Sequence, residues 1–97
     1  MSASKKQKTS KQLERHFKGV ANHRRIEILF VIAKGPKVSV EGISEELNVN
    51  MKTISGHTKR LVDAGLVNKR YRGQVVEHSL SPYGKIFVRF IQTFSSS

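Results

Sequence analysis

Three segments of the chain carry apolar residues at the three- and four-residue spacing of an amphipathic helix. The first predicted helix covers Lys11–Val20 with Ser10 as its N-cap, and the second covers about His23–Ala33 with Asn22 as its N-cap. The second is apolar on nearly all sides, which predicts that it lies buried at the centre of the domain. The third covers about Pro82–Phe94, since proline suits the first turn of a helix.

Between the second and the last of these helices, short apolar runs alternate with polar turns and positive charge. The pattern predicts a short strand at Val38–Val40, a helix at Glu41–Leu47, a polar turn at Asn48–Asn50, a further helix at Met51–Ala64 and a basic hairpin that ends near Leu80. Helix, turn, helix and charged hairpin is the layout of a winged helix-turn-helix, whose second helix enters the major groove of DNA. The predicted fold is mainly α with a small β-hairpin (α+β), in the order α-α-β-α-α-β-β-α.

Length and charge indicate one domain with a polyanionic partner. The chain has 97 residues, and we predict a disordered basic arm at residues 1–10, the domain at 11–94 and a tail at 95–97. Lys and Arg number 18 against 7 Asp and Glu, a net charge of +11 that favours nucleic acid. No apolar run approaches the ~20 residues that span a bilayer, so we expect no membrane partner and a cytoplasmic, nucleoid-associated location. Whether the arm contacts DNA stays open.

The predicted helix at Met51–Ala64 has the polarity of a helix that reads DNA. Ile54 and Leu61 face inward, and the opposite face has cationic, hydroxyl and small side chains but no carboxylate. The only acid of the helix, Asp63, lies at its far end. Lysine can donate to guanine O6 and N7, and hydroxyls can reach bases or phosphates. Gly56 costs about 1 kcal/mol of helix stability relative to alanine, so it either allows the backbone to approach DNA or has no role. We predict DNA contacts for Asn50, Met51, Lys52, Thr53, Ser55, Gly56, Lys59 and Arg60.

The predicted hairpin turns at Arg72-Gly73, and the charges at its tip are all positive. An arginine-rich tip can touch flanking phosphates or enter a narrow minor groove, where the negative potential is deepest. The alternative is an edge hairpin that carries charge against aggregation, but mixed charges would serve that purpose. We therefore predict DNA contacts for Lys69, Arg70, Arg72 and Gln74.

The last predicted helix, with Ser81 as its N-cap, carries a long aromatic stripe. Because the helix follows the hairpin, it has to leave the core, and so long a stripe favours pairing with a second copy over packing on its own domain. A two-fold reader also matches palindromic DNA sites. We predict a homodimer whose interface contains Leu13, Phe17, Val20, Tyr83, Ile86, Phe87, Phe90, Ile91 and Phe94.

Residues that carry catalysis or metal binding are scarce in this chain. It has no cysteine, which excludes disulfides, thiolate catalysis and thiolate metal ligands. Its four histidines lie in separate predicted elements without the spacing of a zinc site. There is no glycine-rich phosphate loop and no nucleophile–base pair, so we predict no enzyme, no metal and no cofactor.

Four short segments carry a resemblance to a known family. They are Ala21–Leu29, Ser44–Asn50, Thr53–His57 and Leu61–Val67. Together they resemble the arsenic-repressor (ArsR) family over about Val20–Tyr83. The resemblance implies a homodimeric transcriptional repressor, whose recognition helix matches Met51–Ala64 and whose wing matches Lys69–Val76. Its dimer helices match Lys11–Val20 and Pro82–Phe94.

Departures from the family pattern limit what the resemblance implies. The family's thiolate sensor lies in the helix that matches Glu41–Leu47, and a second sensor uses a histidine of the terminal helix, but this chain has no cysteine and residues 81–97 have no histidine. The family residue that matches His57 packs or hydrogen-bonds inside. We therefore predict a sequence-specific regulator of double-stranded DNA without a cysteine metal sensor and with an unknown effector. The alternative is a winged-helix module that binds RNA or protein within a larger complex, since phosphate attraction carries no sequence information.

Overall fold

The structure, a computed structural model, describes residues 7–35 and 37–96. Within them it has five helices and one antiparallel hairpin, which agrees with the predicted winged helix-turn-helix. The elements are α1 (Ser10–Val20), α2 (His23–Lys34), α3 (Val40–Leu47), α4 (Met51–Asp63), β1 (Val67–Arg72), β2 (Val75–Leu80) and α5 (Pro82–Ser95). The predicted arm lies mostly outside the described residues, and its last residue, Ser10, already belongs to α1. Of the predicted tail, Ser95 ends α5 and Ser96 is its C-cap.

Polar side chains fix where the outer helices begin. Thr9 is the N-cap of α1: its hydroxyl accepts from the backbone N–H of Gln12 at 3.1 Å, and the Gln12 side chain accepts from the Thr9 N–H at 2.8 Å. The prediction of Ser10 as this cap was therefore wrong by one residue, because only Thr9 has a glutamine three residues later to complete the reciprocal pair. Asn22 and Ser81 cap α2 and α5 as predicted.

The strand predicted at Val38–Val40 is reduced to one residue pair. Val38 exchanges two backbone hydrogen bonds with His78 of β2, with N–O distances of 3.1 and 2.8 Å. Ser39 is then the N-cap of α3, where its hydroxyl accepts from the Gly42 N–H at 3.1 Å. The helix thus begins at Val40, one residue earlier than predicted, and leaves no further residue for a strand.

The turn between α3 and α4 holds its own backbone. Asn48 takes the left-handed conformation, with φ 54° and ψ 49°. The Ser44 hydroxyl donates to the Val49 carbonyl at 2.5 Å, and the Asn50 side chain caps α4 by accepting from the Lys52 N–H at 2.7 Å. These bonds set the angle at which α4 leaves α3. The helix ends at Asp63, one residue before the predicted end.

The core surrounds α2, as the continuous apolar sequence of that helix predicts. Ile28, Leu29 and Ile32 of α2 are almost completely buried, and they pack with Ile54 and Leu61 of α4. Full burial of each such side chain stabilises the fold by about 1.5–3 kcal/mol relative to exposure. This packing leaves α4 with one face anchored to the domain and the opposite face in solvent.

The hairpin and α5 meet without room for a side chain. β1 and β2 pair in register from Val67–Leu80 to Arg72–Val75. A Cβ atom on Gly84, in the first turn of α5, would overlap the backbone carbonyl of Leu66. Glycine is therefore required where α5 leaves the hairpin.

Candidate nucleic-acid interface

The polar face of α4 is open to solvent along its whole length. Thr58 lies on the buried side, where its hydroxyl donates to the Ile54 carbonyl at 2.7 Å, so this polar side chain is not part of the exposed face. The only described ion pair within the helix joins Lys59 to Asp63 at 3.2 Å, near the C-terminal end. All eight residues predicted to contact DNA from this segment are exposed, namely Asn50, Met51, Lys52, Thr53, Ser55, Gly56, Lys59 and Arg60.

One flank of this exposed face borders the hairpin. Ser55 and Lys59 of α4 line a cavity of about 220 Å³ together with Lys69 and Val76 of the hairpin. Lys59, Lys69 and Ser55 thus line a concave surface between α4 and the hairpin, which we call the cationic channel. A phosphate backbone that passes from a major to a minor groove has the charge to fit such a channel.

The hairpin presents the four predicted contact residues in exposed positions. Lys69, Arg70, Arg72 and Gln74 are all exposed. The turn itself is Gly73-Gln74, one residue later than predicted, because Arg72 still pairs with Val75. Gly73 has φ 60°, a left-handed conformation that glycine adopts without strain.

Two further residues of the hairpin, Tyr71 and Glu77, lie beside its positive side chains and were not among the predicted contacts. Tyr71 is 68% exposed between Arg70 and Arg72, and the Lys69 ammonium lies 5.7 Å from its ring centroid. Glu77 pairs with Arg70 in the strand register, and its carboxylate is 4.0 Å from the Arg72 guanidinium. The positive tip is therefore partly balanced at its base. The signal for Tyr71 was an aromatic residue between two arginines on a hairpin.

On the other flank of α4, a buried arginine ties the recognition helix to α1 and α2. Arg25 is only 8% exposed, and its guanidinium donates to the Gly19 carbonyl at 2.7 Å and to the Lys18 carbonyl at 3.4 Å. The third bond joins Arg25 Nη1 to His57 Nδ1 at 3.2 Å. Because a guanidinium can only donate, His57 Nδ1 accepts and this imidazole is neutral. His57 thus hydrogen-bonds inside, as the family resemblance implies.

Burial and positive charges lower the pKa of both members of this pair. Burial lowers the pKa of His57, and the charges of Arg25, Arg24, Arg60 and His23 lower it further. Burial also lowers the pKa of Arg25, with a second contribution from Arg60. Cations from α2 and from α4 itself therefore lie close together where these two helices meet. Neither composition nor helical spacing indicates this grouping.

Away from α4, helices α1 and α5 share an exposed apolar face. The large side chains exposed there are Leu13 (43%), Phe17 (52%), Tyr83 (45%), Ile86 (58%), Phe90 (55%) and Phe94 (71%). Several of them line an apolar groove of about 380 Å³, and Phe17 meets Phe87 edge to face at 5.2 Å. Apolar surface of this extent marks an interaction site in a domain of this size.

Three of the residues predicted for the dimer interface are less exposed than the rest of this face. Phe87 and Ile91 are half-buried and pack against the core as well. Val20 is only 7% exposed and belongs to the core cluster itself. The domain itself therefore covers Val20, which leaves this residue little surface for the predicted dimer interface. Helical spacing put it on the same stripe as Phe17, but the stripe turns inward at the end of α1.

The described residues contain neither a metal-binding group nor a membrane-spanning helix. Nowhere in 7–35 or 37–96 do three His, Asp or Glu side chains come together in a group that could hold a metal ion. No helix in this part of the chain is long and apolar enough to cross a membrane.

The chain matches a known family and a known repressor over its central part. Residues 22–69 match the model of the arsR family of bacterial regulatory proteins, a family of regulators rather than of enzymes. The arsenical resistance operon repressor of Bacillus subtilis is 32% identical over 63 residues, which are 65% of this chain and 60% of that repressor. The match thus spans less than two thirds of the relative.

Solved structures resemble nearly the whole chain. A homodimeric winged helix-turn-helix DNA-binding domain of a possible ArsR-family regulator from Mycobacterium bovis is 26% identical, with a TM-score of 0.82 over 99% of this chain and 91% of that one. HlyU from Vibrio cholerae is 28% identical, with a TM-score of 0.81 over 95% of this chain and 100% of that one. The predicted fold and the predicted resemblance to the ArsR family are confirmed. The chain has the fold of winged helix-turn-helix proteins, and its central residues 22–69 resemble the arsR family of bacterial regulatory proteins.

Proposed function

We propose that this protein is a homodimeric transcriptional regulator, acting as a repressor, that binds specific sequences of double-stranded DNA on the nucleoid without a cysteine metal sensor. The observation that carries the proposal is the anchored, solvent-facing α4 with cationic and hydroxyl side chains beside a basic hairpin. The match to a Bacillus subtilis repressor and the likeness to a homodimeric DNA-binding domain support it.

In this proposal, α4 lies in the major groove and its N-terminal half reads bases. Lys52 and Ser55 are exposed there and offer donors for guanine and for phosphates. A Cβ atom on Gly56 would meet no heavy atom within 4 Å, so packing inside the domain does not require glycine at this position. Close approach of the helix backbone to DNA gives Gly56 a function that the fold does not.

The hairpin serves as the wing and contacts the flanking DNA. Arg70 and Arg72 supply guanidinium groups for phosphates or for a narrow minor groove. The strand between the two grooves then passes over the cationic channel, where Lys59 and Lys69 neutralise its phosphates. Helix and wing together account for both base reading and orientation.

The apolar face of α1 and α5 pairs two copies. Its exposed aromatic residues give it the composition of a homodimer interface rather than of a solvated surface. A two-fold axis through this face presents one α4 and one wing to each half of a palindromic site. The half-sites are then expected about one helical turn apart, roughly 34–36 Å centre to centre.

Selection of bound sequences from a random duplex library tests the proposal as a whole. The expected result is a palindromic site whose half-sites lie about one helical turn apart. The affinity of the full chain is then measured for that site, for random duplex and for structured RNA at one salt concentration. Equal affinity for all three would overturn sequence-specific regulation and leave a general polyanion binder.

A further inference from the structure

We propose that His23, Arg24 and Arg60 form a second phosphate-contacting surface, the α2 flank, on the side of α4 opposite to the hairpin. The inference rests on the proposed function and deepens it, because it assigns the second DNA strand of the major groove to residues outside helix and wing. His23 and Arg24 were not among the predicted DNA contacts.

Helix geometry places the α2 flank across from the wing. Successive residues of a helix are separated by about 100°, so His57 lies about 200° around α4 from Ser55. Ser55 borders the hairpin, whereas His57 accepts the hydrogen bond from Arg25 of α2. A major groove about 12 Å wide is filled by a helix of 10–12 Å diameter, so each flank of the helix faces one phosphate backbone. The wing serves one backbone, and the α2 flank faces the other.

Two of the three side chains of the α2 flank are without a partner among the described residues. His23 and Arg60 are exposed, and within residues 7–35 and 37–96 their side chains form neither hydrogen bond nor ion pair. Arg24 is 31% exposed and bonds only to Glu27, at 2.7 Å. Glu27 is therefore the acid paired with this surface among the described residues, and Asp63 of α4 is paired with Lys59.

The buried Arg25 adds charge beneath this surface. Its three bonds go to two carbonyls and to neutral His57, so no acid among the described residues compensates the guanidinium directly. Cations from α2 and α4 are thus held together although they repel each other, and a phosphate outside them would relieve that repulsion. The surface does not depend on the start of α2, since the Asn22 side chain already accepts from the Arg24 and Arg25 N–H groups.

DNA is the occupant that this surface fits, because it is continuous with the exposed face of α4. Arg60 belongs to both: it is exposed on α4, and it lies about one helical turn beyond His57, which bonds to Arg25 of α2. A duplex seated on α4 brings phosphates to Arg60, and Arg24 and His23 extend the same contact outward.

The test measures binding of the full chain to its selected duplex and to a random duplex over a range of salt concentrations. Arg24→Gln is expected to weaken binding to both duplexes alike, with a salt slope lower by about one for each protomer. Glu27→Gln removes the acid that holds Arg24 and is expected to tighten binding to both. Arg24→Lys keeps the charge and is expected to keep the parental slope. Glu27→Gln keeps the test valid if Arg24→Gln proves unstable, because unchanged binding by Glu27→Gln would then overturn the α2 flank.

Lys34→Gln is the matched control, because Lys34 is also a cation of α2 paired with a glutamate, Glu46 at 2.6 Å, but at the other end of the helix. It is expected to bind with the parental slope. If Arg24→Gln binds like the parent while Lys52→Ala loses affinity, the α2 flank is overturned and the proposed function stands. If Lys34→Gln loses as much as Arg24→Gln, general charge explains the loss and the α2 flank is again overturned. If neither Lys52→Ala nor Arg24→Gln changes binding, the proposed function itself fails.

Discussion

Gly19 of α1 packs directly on Ala64, at the end of α4, with no room between them for a Cβ atom on Gly19. Gly19→Ala therefore forces α1 away from the recognition helix. Overpacking costs about 1–3 kcal/mol, and the better helix propensity of alanine returns about 1 kcal/mol, so a net loss of up to about 2 kcal/mol in the free energy of unfolding is expected. Urea unfolding measures it. Gly35→Ala is the control, since a Cβ atom there meets nothing within 4 Å, and an equal loss in both variants would contradict the packing argument.

Gly56→Ala separates the stability of α4 from its approach to DNA. The added methyl group meets nothing in the domain, so the helix should gain about 1 kcal/mol in the free energy of unfolding. If the backbone approaches the major groove closely, the same methyl group clashes with DNA and lowers affinity for the selected duplex. Thermal unfolding and fluorescence anisotropy measure the two effects. A variant that is more stable and binds with parental affinity would show that this glycine has no role at the DNA surface.

Lys52→Ala and Arg72→Ala are expected to weaken DNA binding in different ways. Lys52 lies in the first turn of α4, where it offers a donor to base edges, so its loss should cost about 1–3 kcal/mol of binding free energy and relax preference at one base pair. Arg72 lies at the wing tip, 4.0 Å from Glu77, and its loss should weaken binding to all duplexes and lower the salt slope by about one. Titrations with the selected and single-base-changed duplexes distinguish the two. Parental binding by both variants would refute the assigned surface.

The stability of the fold should decrease as the solution becomes acidic. Burial lowers the pKa of both His57 and His78 below the ordinary 6.5. Neighbouring cations, with Arg25 foremost at His57 and Lys69 at His78, lower it further, while the hydrogen bond of His78 to the Val38 carbonyl partly opposes the lowering at His78. The unfolded chain therefore takes up these protons first, so the stabilising contribution is complete above about pH 6.5 and is lost as pH falls through the lower folded-state values. Denaturant unfolding between about pH 7.5 and 5 should show this loss. His57→Gln should reduce the pH dependence, and an unchanged dependence would contradict the role of its Arg25 bond.

The order of elements could be read from the sequence because each element has a local signal. Periodicity gave α2 and α5, and side chains that cap helices, such as Asn22 and Ser81, gave their starts. The predicted start of a helix was wrong by one residue where two neighbouring side chains could both act as the N-cap. Thr9 rather than Ser10 caps α1 because Gln12 stands at the matching distance. All eight residues predicted to read DNA from the Asn50–Arg60 segment proved exposed because one buried stripe determines the opposite face.

Contacts between distant parts of the chain had no such signal. Arg25 and His57 are 32 residues apart, and their hydrogen bond depends on how α2 crosses α4. The same holds for the apolar residues of α1. The spacing of Val20 from Phe17 predicts that both lie on one apolar stripe of the helix, but it does not predict where that stripe enters the core. The cations of the α2 flank meet only because these two helices cross, so charge counting alone could not group them.

Phe90→Glu tests whether the apolar face of α1 and α5 joins two copies. Phe90 is 55% exposed and stacks on Phe94 at 6.0 Å, so a glutamate there keeps the monomer folded but leaves a charge in any interface that covers it. A monomer in sedimentation equilibrium is expected, with a large loss of affinity for the palindromic duplex and a smaller one for a single half-site. Lys85→Glu places the same residue on the polar side of α5 and should remain dimeric. A Phe90→Glu dimer that binds the full site like the parent would mean that two-fold recognition uses another surface.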